Sequence, residues 1–435
     1  MIFSDIFKYT STYPIFSPNG LLFASATNYK LFIKEIKSMQ TFKVFTCIDS
    51  ISEIKWSKDS MFVLCVLKKR NIIQVWSLEY PEWQCKINEG SAGLLKCDWC
   101  PDSRHILTTL DFFIRITLWS IEEQNVSYMK YPKNCSKYYD FSIDGSYFAL
   151  AERRNFKDYV SIFKTTNKWS LFKNFQVSTN DLDGVKWLPY LNLICWDSCL
   201  KYTLLIYNIN GELIKSMSND SSEYHLGIKL LRTHPVCHLI VVGIYNSCCQ
   251  VLNSSNLATI ANIDCSFENL TKAKIPTKTA NRLIYYENEN GDYSISQHFD
   301  IGHHNWSLGS SREKKCIMDI QFSFDGLYFY TRFENEPNVL FIWNVKRISL
   351  SVILIHINSI KSATWSPTSA SLALVTGNDR LYMWTPKGCI SLKVPDSELS
   401  ILSNVSWNTD GANVCLSSKL SSCVVFLNDE NCGKK

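Results

Sequence analysis

The chain has 435 residues, 46% hydrophobic and 20% charged, a balance that excludes a mainly disordered polypeptide. Aromatic residues are abundant at 13%, with 13 Trp, 21 Tyr and 24 Phe, which favours strands because such side chains suit a half-buried pleated surface. The formal net charge of +5 is too dilute over this length to imply a nucleic-acid partner.

The first ten residues lack a basic region followed by an apolar one, so no secretory signal is expected. Apolar runs such as 61–67 fall far short of the roughly 18 to 20 residues that span a bilayer. The 17 cysteines are odd in number and lie mostly inside apolar runs (Cys65, Cys195, Cys237, Cys415). They read as reduced thiols of a soluble intracellular protein rather than a disulfide framework.

Taken in chain order, one pattern recurs. An apolar segment ends in an aromatic residue and is followed by a Ser-, Pro- or Asp-rich turn, a second apolar segment, and a third that ends in another anchor. The first anchors open Phe16-Ser-Pro-Asn-Gly20, Trp56-Ser-Lys-Asp-Ser60, Trp99-Cys-Pro-Asp-Ser103 and Phe141-Ser-Ile-Asp-Gly145. Trp187-Leu-Pro and Thr233-His-Pro are weaker copies. Phe322-Ser-Phe-Asp-Gly326, Trp365-Ser-Pro-Thr-Ser369 and Trp407-Asn-Thr-Asp-Gly411 complete the series. Successive anchors lie 40 to 46 residues apart, apart from one interval of 89, by subtraction of these positions. The second anchors are Lys34, Trp76, Trp119, Phe163, Tyr207, Leu252, Trp343, Trp384 and Leu427, and nine of the 13 tryptophans sit on the two columns.

A period in the low forties with several short strands per unit is the signature of a β-propeller blade. Two seven-bladed rings would need roughly 560 residues, so the sequence predicts an all-β WD-repeat propeller over 1–435, with about nine blade units in one ring. Residues 2–8 precede the first unit and are expected to become the outer strand of blade nine, which removes an exposed edge. The long interval leaves 265–315 as an insertion between blades six and seven. Within it Leu283-Ile-Tyr-Tyr286 and Tyr293-Ser-Ile-Ser296 flank a hairpin turn.

Signatures of phosphate-binding loops, zinc proteases and serine hydrolases are missing, so no enzyme and no cofactor are expected. Cys97-Asp-Trp-Cys100 has metal-ligand spacing but lacks a second pair, and strand alternation would point its thiols to opposite faces. His298, Asp300, His303 and His304 read as a solvated loop within the insertion.

What remains is surface. The loops joining second to third strands, and each blade to the next, open on one face. There lie Lys68, Lys69 and Arg70, then Glu89 in the Glu-Gly-Ser loop, Arg153 and Arg154, and Arg380. Trp83, in Glu79-Tyr-Pro-Glu-Trp83, lies on the opposite face. Exposed aromatic and Arg side chains are common anchors of protein interfaces, and a basic face would suit the acidic rows of a coiled coil.

Several stretches are more specific than generic blade residues. They are Val75-Trp-Ser-Leu-Glu-Tyr-Pro-Glu-Trp-Gln-Cys-Lys-Ile-Asn-Glu-Gly-Ser-Ala-Gly93, Ala149-Leu-Ala-Glu-Arg-Arg-Asn-Phe-Lys-Asp-Tyr-Val-Ser-Ile-Phe163 and Arg380-Leu-Tyr-Met-Trp-Thr-Pro-Lys-Gly-Cys389. Arg115-Ile-Thr-Leu-Trp119, Val126-Ser-Tyr-Met-Lys-Tyr-Pro-Lys133 and Leu226-Gly-Ile-Lys229 accompany them. Together they resemble WD-repeat centrosomal and spindle-pole proteins of the WRAP type, over nearly the whole chain. The resemblance implies a non-enzymatic scaffold in the cytoplasm, at centrosomes and spindle poles. Such a scaffold would bind a coiled-coil anchoring protein of the Msd or SSX-interacting type and tether microtubule minus ends. A minus-end-directed kinesin and a microtubule-nucleating complex are the further partners implied, with a role in cilium assembly. The alternative reading is an RNA- or ribosome-associated propeller similar to certain translation initiation factors, but no aromatic-plus-basic stripe for single-stranded RNA is evident. In place of the Trp-Asp dipeptide the second anchors carry Trp76-Ser, Trp119-Ser, Trp343-Asn and Trp384-Thr. The side-chain network of ordinary WD blades is therefore expected to be largely missing.

Overall fold

The computed structural model describes residues 1–197, 201–219, 227–245, 248–264, 283–296, 316–334, 336–395 and 397–427. Among them the chain is all-β apart from short 3-10 turns, and it builds the nine expected propeller blades, each an antiparallel sheet with four blade strands or, in the ninth, three completed by the N-terminus. The blades fall into two compact units. One comprises 1–132 with 361–435 and holds blades one, two, three, eight and nine; the other comprises 133–360 and holds blades four to seven.

The turn after each first anchor is built from its own side chains. Ser17, Ser57, Ser142 and Ser323 donate their hydroxyls to Asn19, Asp59, Asp144 and Asp325, each at 2.6 Å. The same hydroxyls accept the amide hydrogens of Leu22, Phe62, Tyr147 and Tyr328 as the second strand begins. This is the local bonding that makes Ser and Asp turn formers. In blade six His234 replaces the serine. Its Nδ1 accepts from the amides of Val236 and Cys237, leaving Nε2 to donate to the Gly326 carbonyl of blade seven at 2.9 Å. Gly326 is at φ +67° with its Cα against that ring, so a Cβ there would lie 2.3 Å from the imidazole.

Five of the nine first anchors are tryptophans, and four of these do something that the repeat pattern alone does not reveal. The indole nitrogens of Trp56, Trp99, Trp187 and Trp407 donate to the carbonyls of Ile15, Lys55, Asp140 and Thr364 at 3.0–3.3 Å. Each acceptor is the residue just before the anchor of the preceding blade, and the rings also pack between the two blades, Trp99 beside Phe62 and Trp187 beside Tyr147, so apolar face and polar edge tie the same neighbours. Trp187→Phe keeps most of the packing and strips the carbonyl of its donor. A loss of about 1–3 kcal/mol in urea denaturation is the expected result, and an unchanged midpoint would remove these bonds from the account of blade stacking.

Blade nine is completed by the N-terminus, as the sequence suggests. Ile2–Phe3 and Phe7–Lys8 both pair antiparallel with its third strand, Ser421–Phe426. The segment then crosses to blade one, where the Thr10 amide donates to the Ala26 carbonyl at 2.8 Å and Phe7 meets Phe23 edge-on at 5.2 Å. The Tyr9 hydroxyl, buried beneath, donates to the Ser418 carbonyl.

Strands Leu283–Glu287 and Tyr293–Ser296 form a hairpin within the long interval. The first of them pairs parallel with Ser349–Ile355, the outer strand of blade seven, extending that sheet to six strands. The rest of 265–315, including His298, Asp300, His303 and His304, lies outside the described residues.

Candidate functional site

Lys68, Lys69 and Arg70 form a 3-10 turn between the second and third strands of blade two, and all three are exposed. Two of them are occupied within the same part of the fold. Lys68 Nζ sits 2.5 Å from Glu53, and Arg70 Nε donates to Asp49 at 2.7 Å. The Ser50 amide and the Arg70 guanidinium hold the Asp49 carboxyl below its usual range. Lys69 makes no ion pair among the described residues.

Arg153 and Arg154 end the second strand of blade four and are also committed. Arg153 donates to Asp181 at 2.6 Å and lies 3.5 Å from Asp158, while Arg154 is ion-paired with the buried Glu152. Burial pushes the Glu152 carboxyl up, with Ser161 and Arg154 pulling the other way. Beneath Arg153, Lys133 bridges Asp158 at 2.9 Å and Asp181 at 2.7 Å, and its side chain is 5% exposed against 1% for Asp158. Burial raises the Asp181 carboxyl, but Lys133 and Arg153 more than offset it and leave it below normal. Charge reversal of Arg153 would therefore disturb a buried network as well as a surface. Lys68–Arg70 and Arg153–Arg154 also belong to different compact units. Arg380 is half-buried and donates to Ser391 at 2.7 Å.

Glu89 does not face solvent, which corrects its placement on the docking face. The carboxylate turns inward and accepts hydrogen bonds from the Thr108 hydroxyl and, at 2.8 Å, from the Trp119 indole. A loop acid, a second-strand threonine and a third-strand tryptophan thus form the kind of network that the missing Trp-Asp dipeptides argue against. Blade seven keeps part of it, with Trp343 Nε1 donating to Thr331 at 3.0 Å. The replacement differs from blade to blade, so no single motif exposes it. Trp83 folds back, its ring tilted at 58° to that of Phe62 with centroids 5.1 Å apart, and packs on the core of blades two and three, which removes it as a free anchor.

The other candidates for chemistry are interior. Cys97 and Cys100 are both buried, Cys97 within the strand Lys96–Trp99 and Cys100 just beyond its end. Burial pushes both thiols up. A chain of titratable groups joins the added hairpin to blade seven: His356 Nδ1 donates to Glu287 at 3.2 Å, and the Tyr293 hydroxyl lies 3.3 Å from Nε2. The Ile357 amide also donates to Glu287. With Glu287 and His356 buried and Tyr293 half-buried, this chain pins the hairpin in place. Burial pulls the His356 pKa down despite Glu287. The unfolded chain therefore binds a proton that the native state refuses, and stability falls as pH drops below about 6.5. His356→Gln should flatten the stability profile between pH 7 and 5, and an unaltered slope would assign the acid sensitivity elsewhere.

What the sequence analysis missed is the set of apolar loop tips. Phe112 and Ile114 protrude between the second and third strands of blade three, and Phe156 does so in blade four. At the opposite end of the second unit, Ile143, Tyr190, Val236 and Phe324 stand out from the turns after the first anchors. The available signal was an apolar residue within an otherwise polar turn, Ile143 and Phe324 in place of Pro or Lys and Tyr190 and Val236 in place of Asn or Asp.

Blades of this construction, with chemistry buried and varied loops outside, define a WD-repeat β-propeller, a class that generally serves as a non-enzymatic interaction scaffold. No family model matches the chain. The mouse WD repeat-containing protein WRAP73 is 36% identical over 98% of this chain and 96% of its own length, and the chain belongs to that WD-repeat family. An uncharacterised WD repeat-containing protein of Schizosaccharomyces pombe, C32H8.09, is 22% identical over 65% of this chain and 57% of its own. In fold, the C-terminal WD40 domain of Sif2 superposes with a TM-score of 0.52 at 11% identity, covering 98% of both chains.

Proposed function

We propose that this protein is a non-enzymatic scaffold of the centrosome and spindle pole that anchors microtubule minus ends through a coiled-coil partner of the Msd or SSX-interacting type. A minus-end-directed kinesin and a microtubule-nucleating complex join the assembly, and the same anchoring serves cilium formation. The observation that carries this reading is the 36% identity to WRAP73 over almost the full length of both chains, added to a resemblance that lies in loop and strand segments rather than in generic blade residues. The architecture supports it physically. The titratable clusters described above are buried or ion-paired, whereas exposed apolar side chains stand on the loops, where interface anchors are found.

The test is localisation with capture. A tagged full-length chain should concentrate at spindle poles through mitosis and recover the coiled-coil anchoring protein. A diffuse distribution, or salt-sensitive sedimentation with ribosomes, would overturn the proposal.

A further inference from the structure

The end of the second unit formed by its turns is unlike the same end of the first. At the two tip positions of these turns, blades one, two, three, eight and nine carry Pro18-Asn19, Lys58-Asp59, Pro101-Asp102, Pro367-Thr368 and Thr409-Asp410. Blades four to seven each carry a bulky apolar residue instead. Ile143 is 82% exposed, Tyr190 83%, Val236 75% and Phe324 61%. Isolated surface apolar residues need no explanation, but one on every turn of four successive blades is a patch.

The patch has continuity and depth. Tyr190 stacks on His238 of the blade-six turn, with ring centroids 5.5 Å apart and planes at 20°. Val236 of that same turn and Phe324 both line an open groove of about 670 Å³, together with Phe322 and Pro235. The groove is wide enough to take a large apolar side chain. Arg232 forms one wall, with its Nε on the Ile320 carbonyl at 3.0 Å and its Nη2 3.7 Å from Asp319. Asp325 lines the groove too, its carboxylate engaged by Ser323 and the Leu327 amide.

The charge around this patch is one-sided. The loops joining third to fourth strands open on the same end. In blades four and seven they carry Lys164, Lys168, Lys346 and Arg347, all exposed and none ion-paired among the described residues. The opposing charges are Glu212, which accepts from Asn208, and Asp144 and Asp325, which are held by their own turns. Unpaired cations beside exposed apolar side chains suit a ligand that is apolar on one stripe and acidic on its flanks.

We propose that this end of the second unit is the docking surface for an acidic amphipathic helix, with one large apolar side chain seated between Val236 and Phe324 and flanking carboxylates set against Arg232, Lys346 and Arg347. The inference rests on the scaffold reading and deepens it. It places the partner at the end of the second unit opposite its basic loop, where Arg153 and Arg154 already have partners of their own.

Binding to the full chain is measured by fluorescence anisotropy with two labelled helical peptides. They share a Leu and Phe stripe, one flanked by Glu and the other by Lys. The Glu-flanked peptide is expected to bind at least tenfold more tightly. Tyr190→Ser with Phe324→Ser should weaken it at least tenfold, and Lys346→Glu with Arg347→Glu should do the same and reduce its salt dependence. All four positions are exposed, so melting midpoints should hold. Absence of binding, equal affinity for both peptides, or indifference to both double variants would overturn the proposal. So would a dimer in sedimentation equilibrium that the Tyr190 and Phe324 changes dissolve, since the patch would then belong to a second copy. Because the peptides report nothing about location, failure here with normal spindle-pole targeting would sink the docking site alone.

Discussion

Deletion of residues 1–9 should convert a stable protein into one that aggregates at micromolar concentration, with a markedly lower melting midpoint. The deletion unpairs Ser421–Phe426 along its outer side, leaving a row of backbone donors and acceptors open to other chains. It also removes Phe7 and Tyr9, both buried, and with them the Tyr9 hydroxyl that satisfies the Ser418 carbonyl. Loss of two buried aromatic side chains alone corresponds to about 5 kcal/mol or more. The bond from the Thr10 amide to the Ala26 carbonyl and the edge contact of Phe7 on Phe23 show that the segment holds blade nine to blade one as well as covering an edge. A truncated chain that stays monodisperse and melts where the full chain does would show that the clasp is dispensable.

Lys133→Ala should be the most damaging single change within blades four to seven. The ammonium is the direct cation on Asp158, a carboxylate that also accepts the Leu182 amide at 2.7 Å and is almost wholly enclosed. Removing it leaves a buried negative charge whose one remaining cation among the described residues is Arg153 at 3.5 Å, at a cost of about 3–5 kcal/mol. The companion double change, Lys133→Met with Asp158→Asn, removes both charges together and should recover most of the loss in urea denaturation. If the single change proves mild and the double change no better, Arg153 and water must already neutralise Asp158, and the buried triad is not a structural tie.

Much of this architecture was legible from the repeat. The aromatic anchors and their turns placed nearly every blade strand, because a blade buries both faces only by stacking and so must repeat its apolar positions at a fixed spacing. The candidate site was far less legible. Lys68, Arg70, Arg153 and Arg154 look like a free basic surface until Glu53, Asp49, Asp158, Asp181 and Glu152 are brought beside them. Some of these acids are 15 to 28 residues away in the chain, by subtraction of positions. Glu89 and Trp83 sit on loops of similar composition to their neighbours, yet the fold turns both inward.

By itself the sequence determined the all-β class, the number of blades, the completion of blade nine by the N-terminus and the family, since these depend on periodicity and on residues read one at a time. Only the tertiary structure decided that the anchor indoles bond across to the preceding blade, that Glu89 rebuilds a WD-type network with Thr108 and Trp119, and that Tyr190 stacks on His238 while Val236 and Phe324 line one groove. Each of these depends on which side chains from distant segments become neighbours. That is set by how blades stack, and a one-dimensional pattern does not record it.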